Sequence, residues 1–375
     1  MKNFVKLIQQ VHEERFSVVV SKILAEKIPV TFMSIAPIAQ AIESVKNFRA
    51  QELNIVMLVT TDAVRNDLDF EIFHVNDAAQ IYPQPEYVFA DEITAARVAV
   101  KNFPKSKIIF LGNNTDKIYK AFMTHLGDLQ EVYESLIDEE SKKVFRGYWL
   151  GNITNRIGDI VFANTLHYIC AGFIPEYGAI AIDGGLCDGG TALRFSKMGY
   201  EVYGFEADKI NYMTARKVGE ENNFVVENLG LGSYNHTAKF THALNPGASS
   251  IDPNGNETAQ IITLDSYVRE KNLPRVDFIK LDVEGAELDV LKGATTTIAR
   301  FKPILAISAY HKWEDFWTLT KFIKSIRPDY EFAMRQSYVT PENEPANFKN
   351  GVMHLVNLGL EPDGRNFYEC VLFAR

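Results

Sequence analysis

From Ala179 onward the sequence alternates six strand-like runs, AIAIDGG, EVYGFEAD, NFVVENLGL, AQIITLD, VDFIKLDVEG and PILAISAYH, with helical stretches such as 191–197 and 286–300. Consecutive parallel strands need a crossover between them, usually a helix, so this alternation confines the chain to a largely parallel sheet covered on both faces. The last part, YEFAMRQSYV, GVMHLVNLG and FYECVLFAR, has strand patterns with no helix between them. Parallel strands first and antiparallel strands last are expected.

A weaker version of the pattern occupies the first third. Val30 to Asn113 holds VTFMSIA, LNIVMLVTT, FEIFHV, EYVFAD and SKIIFLG, with helical stretches at 38–45, 92–103 and 116–126. This predicts a smaller α/β domain over 1–127, with an amphipathic helix at its start. Its strand ends carry no glycine-rich phosphate loop. FLGNN before Thr115 reads as a turn and helix cap rather than a nucleotide site. Between the halves, Leu129, Val132, Tyr133, Leu136, Ile137, Val144, Phe145, Tyr148 and Trp149 recur at helical spacing. They predict a helical connector over 128–175 whose rings serve core or interdomain packing. A second domain over 176–375 fits a chain of 375 residues at roughly 100–200 residues per domain.

Composition excludes several classes. With 39 lysines and arginines against 48 aspartates and glutamates, the formal charge of −9 disfavours nucleic acid, whose phosphates need a basic face. Cys170, Cys187 and Cys370 are odd in number and lack CxxC spacing, so neither a disulfide framework nor a zinc knuckle is indicated. The candidate span from Ile28 to Ile42 is too short to cross a bilayer, and the first residues lack the apolar run of a signal peptide. A cytoplasmic protein without a membrane span is expected, and a homo-oligomer is left open.

The chemistry concentrates in AIAIDGGLCDGGTALRF. A strand ends at Asp183; Gly184, Gly185, Gly189 and Gly190 frame a loop; a helix opens near Thr191. Glycines admit a ligand close to the backbone, and the helix start offers amide donors. The pattern is not the G-x-G-x-x-G of a dinucleotide site. Asp183 is suited to a cationic amino-acid moiety, and Glu206, 23 residues later, to ribose hydroxyls. Together they fit S-adenosylmethionine. Two competing readings are an NAD(P)-dependent oxidoreductase, which would want the missing glycine pattern, and a non-catalytic nucleotide-binding or scaffold protein.

IDGGLCDGGT, GFEAD, ITLDSYV and above all VDFIKLDVEGAELDVLKGA resemble the FkbM family of S-adenosylmethionine-dependent methyltransferases, over residues 164–375. The resemblance implies a class I methyltransferase fold, Rossmann-like, with a seven-stranded, mainly parallel sheet whose last strand is reversed. It implies cofactor contacts from Asp183, Gly184, Gly185, Gly189, Thr191, Glu206, Asn228 and Asp282, with Asn228 near the adenine. Leu186, Cys187 and Gly190 depart from residues common in that loop. By analogy with the family, the acceptor is a hydroxyl on a sugar, glycan or natural-product-like small molecule.

Asp282 and His311 stand just past strand ends on the edge where α/β sheets hold ligands, so either can serve as general base. Asp282, Glu284 and His311 also offer ligand types suited to Mg²⁺ or Mn²⁺. Glu284 and Glu287 can instead complement a helix dipole. Ser249 and Ser250 read as a solvated loop or an acceptor contact. Trp313, Phe316 and Trp317 read as helix packing, and Lys280 as paired beneath the site or facing solvent.

Overall fold

The structure, a computed structural model, describes residues 2–62, 68–91, 93–110, 115–156, 159–161, 167–241, 250–251, 254–255, 257–336 and 369–375. Ser249, the GNN of the FLGNN turn and the expected strand GVMHLVNLG lie outside them, as does the side chain of Ser250. The chain divides into two compact units, one chiefly Met1–Tyr133 with Lys143–Val161, the other Glu134–Lys142 with Phe162–Gly364 and Tyr368–Arg375.

The first unit is built on β1 (Val30–Ser34), β2 (Ile55–Thr60), β3 (Glu71–His74), β4 (Tyr87–Ala90) and β5 (Lys107–Phe110), in the order β3-β2-β1-β4-β5. Every pair is parallel. β1 and β4 are buried at every position, which is why neither alternates apolar with charged residues. The helix Ile38–Ala50 buries Ala41, Ile42 and Val45 into the same cluster as Val30, Phe32 and Phe89. The aromatic stripe lies in this unit's core, where Phe4, Phe122, Tyr133, Phe145 and Trp149 pack ring to ring.

The expected helical connector is two helices, Leu126–Ser135 and Glu139–Thr154, and the helical pattern does not reach 175. Asn155 takes a left-handed φ of 54°, and Tyr168, Gly172 and Gly178 repeat positive φ in the turns beyond. The aromatic spacing that suggested the helix ends at Trp149.

The second unit carries β6 (Ile180–Gly184), β7 (Glu201–Phe205), β8 (Val225–Glu227), β9 (Gly230–Leu231), β10 (His236–Thr241), β11 (Ser250–Ile251), β12 (Glu257–Ile262), β13 (Phe278–Leu281), β14 (Ile304–Ser308), β15 (Phe332–Gln336) and β16 (Cys370–Ala374). Seven of them form the main sheet in the order β15-β16-β14-β13-β6-β7-β8. β16 runs antiparallel to both β14 and β15; the other pairs are parallel. This is the seven-stranded sheet with a reversed last strand.

Two sequence runs fall elsewhere. AQIITLD belongs to β12 in a separate four-stranded sheet, β11-β10-β12-β9, paired antiparallel with β10. Its Ala259 and Ile261 face Ala238 and Phe240 in a small core of their own. NFVVENLGL is split between β8 and β9. The stretch 286–300 is likewise two helices, Glu287–Lys292 and Thr295–Phe301. Gly293 breaks it where a Cβ would stand 2.0 Å from the Gly232 carbonyl oxygen.

Among the described residues no helix is long and apolar enough to cross a membrane, and all three cysteines are free.

Candidate functional site

Sheet register creates the site. Gly184 pairs with both Phe205 and Leu281, so β6, β7 and β13 end at one level. The next residue of each, Gly185, Glu206 and Asp282, therefore stands side by side at the carboxyl edge, where an α/β sheet receives its ligand. Gly185 has a φ of 77°, and a Cβ there would lie 1.7 Å from the Asp282 carbonyl oxygen. Only glycine fits between the two loops. Gly189, at φ 87°, then caps the helix Gly190–Lys197, with the Gly190 amide donating to Asp188 Oδ1 at 2.9 Å. Thr191 lies in the first turn of that helix.

Glu206 is 8 % exposed and already organised. Its Oε2 accepts from the Cys187 amide at 2.7 Å and its Oε1 from the Asp208 amide at 2.8 Å. Burial raises its pKa to about 7 despite those two donors. Cys187 holds a φ of 53° to deliver its amide. Asn228 Nδ2 donates to the Glu206 carbonyl at 2.9 Å, so the expected adenine contact sits at this edge with its amide engaged on the neighbouring backbone.

Asp183 is paired within the sheet. It is fully buried, and its Oδ1 lies 2.8 Å from Lys280 Nζ, its lateral neighbour on β13. The ammonium also donates to the Gly185 carbonyl at 2.7 Å and the Gly184 carbonyl at 3.3 Å. Asp183 thus holds Lys280 beneath the loop, because the sheet order sets a lysine beside it. Burial alone would lower the Lys280 pKa, but Asp183 and Asp282 hold it above the ordinary lysine value.

Asp282 is gripped from two sides. Tyr168 donates to its Oδ2 at 2.8 Å and Tyr310 to its Oδ1 at 3.3 Å, while Tyr168 also shares a 2.9 Å bond with Ser308. Burial works to raise its pKa, yet Lys280, His311 and the Tyr168 hydroxyl bring it below the ordinary value. His167 stacks on Tyr168 with ring centroids 3.8 Å apart, and its burial lowers its pKa to about 4, keeping it neutral.

His311 joins the same cluster. Its Nδ1 lies 2.8 Å from Glu287 Oε1, and its Nε2 3.5 Å from Asp282 Oδ1 and 3.6 Å from Glu284 Oε2. Burial opposes charging the ring, but Glu284, Glu287 and Asp282 prevail and raise its pKa to about 10. Glu287 is itself fully buried and accepts from the Val283 amide at 3.0 Å as well. It therefore closes the loop on which Glu284 takes a left-handed φ of 52°. Phe316 and Trp317 are buried in the helix Asp315–Ile326, as packing residues.

Sequence reasoning brought Gly185, Glu206, Asp282, Glu284 and His311 to one edge but missed Tyr168, Tyr310 and the anchoring role of Glu287. Tyr310 adjoins His311 in sequence and was findable. Tyr168 lies 114 residues from Asp282 with no local signal.

Residues 183–334 match the family model for the methyltransferase FkbM domain. A crystal structure of Methyltransferase FkbM from Methylobacillus flagellatus KT is 17% identical, aligns over 100% of this chain and 98% of that one, and has a TM-score of 0.63. That likeness is one of fold. Precorrin-6y C5,15-methyltransferase from Geobacter metallireducens GS-15 is 11% identical over 57% of this chain and 92% of that chain, with a TM-score of 0.31. Phosphoethanolamine N-methyltransferase 1 from Haemonchus contortus is 9% identical over 92% of this chain and 87% of that chain, at 0.29. Similarity that loose carries no argument here. No curated protein matches the sequence. The family match displaces the oxidoreductase and scaffold readings: the site at the ends of β6, β7 and β13 belongs to a methyltransferase FkbM domain, and the chain is a methyltransferase.

Proposed function

We propose that the chain transfers a methyl group from S-adenosylmethionine to a hydroxyl of a small-molecule acceptor, of the sugar, glycan or natural-product class. The observation that carries the reading is the alignment of Gly185, Glu206 and Asp282 along one sheet edge, with the Glu206 carboxylate pre-positioned by two backbone amides. Glu206 would accept from the ribose hydroxyls and the glycine loop would hold the methionyl part, with the Asp183–Lys280 pair supporting that loop from below. Gly184, Gly189, Thr191 and Asn228 complete the contacts on this reading.

Methyl transfer is an in-line displacement: the acceptor oxygen forms a bond to the methyl carbon as the carbon–sulfur bond breaks and the sulfonium becomes a neutral thioether. Alignment supplies much of the acceleration. The acceptor hydroxyl must also lose its proton, and Asp282 and His311 are the groups placed to receive it. In the free chain the surrounding carboxylates hold His311 as an imidazolium, which leaves Asp282 to take the proton. With Mg²⁺ or Mn²⁺ at Asp282, Glu284 and His311 the ion would take the place of that base, lowering the acceptor's pKa so that water could take the proton.

The test is binding followed by turnover. S-adenosylmethionine, and not NAD, raises the melting temperature of the full chain, and labelled methyl from the cofactor appears on oxygen in an acceptor screen of sugars, glycans and polyhydroxylated natural products. Stabilisation by neither cofactor sinks the proposal. Labelling confined to nitrogen acceptors sinks the hydroxyl assignment alone.

A further inference from the structure

Four carboxylates, Asp183, Asp282, Glu284 and Glu287, gather around two cationic side chains, Lys280 and His311. Lys280 bonds Asp183 and two loop carbonyls and reaches Asp282 only through space. In the outer part three carboxylates, Asp282, Glu284 and Glu287, stand against His311, with Lys312 Nζ donating to the Gly285 carbonyl beside them.

Its geometry is not that of a finished salt bridge. His311 Nδ1 makes a 2.8 Å contact with Glu287, but Nε2, on a side chain 10 % exposed, is buried without a hydrogen-bond partner. It faces two carboxylate oxygens at 3.5 and 3.6 Å, beyond the about 2.7–2.9 Å of a charge-assisted bond. Two donors each about 2.1 Å from one ion, and roughly 90–110° apart, stand about 3.0–3.5 Å from each other. The spacing suits an ion among the three atoms better than direct contact between them. Asp282, Glu284 and His311 each contribute one such atom, all within 4.8 Å of one another.

The surroundings point the same way. A metal-bound imidazole typically gives its second ring N–H to a carboxylate, which fixes the tautomer and aims the free nitrogen. Glu287 stands in that place, fully buried. The same carboxylate bonds the Val283 amide and maintains the left-handed backbone that carries Glu284 toward His311. A non-glycine residue is strained in that region and persists where the surroundings enforce it. Tyr168 and Tyr310 hold Asp282 in turn.

We propose that Asp282, Glu284 and His311 form a divalent-cation site of the Mn²⁺ or Mg²⁺ class, with Glu287 as the positioning residue that orients both His311 and Glu284. One nitrogen and two carboxylates suit such an ion. Three protein donors leave positions open in a six-coordinate shell, and the acceptor hydroxyl would occupy one of them. Bound there, its proton would be easier to pass to water. This inference rests on the methyltransferase reading for its consequence, but not for its detection.

The test is Mn²⁺ titration of the full chain followed by electron paramagnetic resonance of the free ion, alongside calorimetric binding of S-adenosylmethionine to the same samples. The expected result is one Mn²⁺ retained per chain, affinity reduced at least tenfold in Glu284→Gln and His311→Ala, and reduced about 10- to 100-fold in Glu287→Gln. Glu284 is partly exposed, so Glu284→Gln keeps the test valid if the buried variants fail to fold. No Mn²⁺ retention at millimolar ion, or equal retention by Glu284→Gln, overturns the site. Unchanged affinity in a folded Glu287→Gln overturns its positioning role. Loss of S-adenosylmethionine binding with Mn²⁺ still retained counts against the functional reading and leaves the site standing.

Discussion

Glu206→Gln separates the proposed ribose acceptor from a merely buried acid, because burial has given this carboxyl a titration of its own. Its pKa stands at about 7 against an ordinary 4.5, raised by burial and only partly restrained by the Asp208 and Cys187 amides. At about 1.4 kcal/mol per pH unit, that displacement is worth roughly 3 kcal/mol. The folded chain without cofactor keeps a proton here that the unfolded chain releases. This contribution to stability is therefore complete below the ordinary value of 4.5 and is lost as pH rises through about 7. Ribose hydroxyls need the ionised acceptor. Below about pH 7, affinity for S-adenosylmethionine then falls by up to about tenfold per pH unit, and above it the affinity levels off.

Glutamine cannot titrate, and its amide NH₂ is forced toward one of the two backbone N–H groups that Glu206 now accepts. Losing a charge-assisted hydrogen bond costs about 1.5–3 kcal/mol, or roughly 10- to 150-fold in Kd at neutral pH. Calorimetric titration of S-adenosylmethionine between about pH 5.5 and 8.5 reads both effects, weaker binding and a flattened profile. If Glu206→Gln keeps the wild-type slope, the titrating group is elsewhere and the reasoning fails. A wild-type profile already flat through pH 7 refutes it as well.

Lys280→Met leaves Asp183 buried without its cation and should lower stability by about 3–5 kcal/mol, seen as a denaturation midpoint that pairing with Asp183→Asn largely restores. Gly185→Ala sets a methyl 1.7 Å from the Asp282 carbonyl oxygen at a positive φ and abolishes cofactor binding; Gly190→Ala, whose added carbon would meet only Asp188 Oδ1 at 3.2 Å, changes the Kd by no more than a few-fold. Equal effects at the two glycines would show that the loop is not built as described. Tyr168→Phe removes the bonds to Asp282 and Ser308 but keeps the ring that lies 5.2 Å from Lys280 Nζ. Turnover should fall about tenfold, the scale of one hydrogen bond to a charged group, with S-adenosylmethionine affinity unchanged; a loss confined to cofactor affinity would place Tyr168 in the wrong pocket.

What the sequence disclosed of this protein follows from what travels along a chain. Strands buried on both faces announce themselves as apolar runs, and the strand-end acids and glycines stand right after them, so Gly185, Glu206 and Asp282 were legible one segment at a time. Sheet membership was less so. AQIITLD has the apolar content of a main-sheet strand, yet β12 pairs with β10, whose sequence HTAKFT buries only Ala238 and Phe240 and gives a weak strand signal. Partners across strands were illegible for a related reason. Lys280 and Asp183 are 97 residues apart and become neighbours only because β13 lies next to β6, so a residue that resembled a cofactor ligand in isolation is half of a buried pair. The same holds for the cluster at the edge. Asp282, Glu284 and His311 could be picked as ligand types from their order in sequence. What distinguishes an ion site from an ordinary acidic turn is the unpartnered Nε2 and the carboxylate behind the ring, and both arise only when the loops after β13 and β14 are set side by side. Glu287 had a sufficient local explanation as a helix-start acid, and that explanation hid its second task. A residue whose local role is already satisfied gives no signal that it also acts across the sheet edge, so such positioning residues are the part of a site that a single sequence is least able to show.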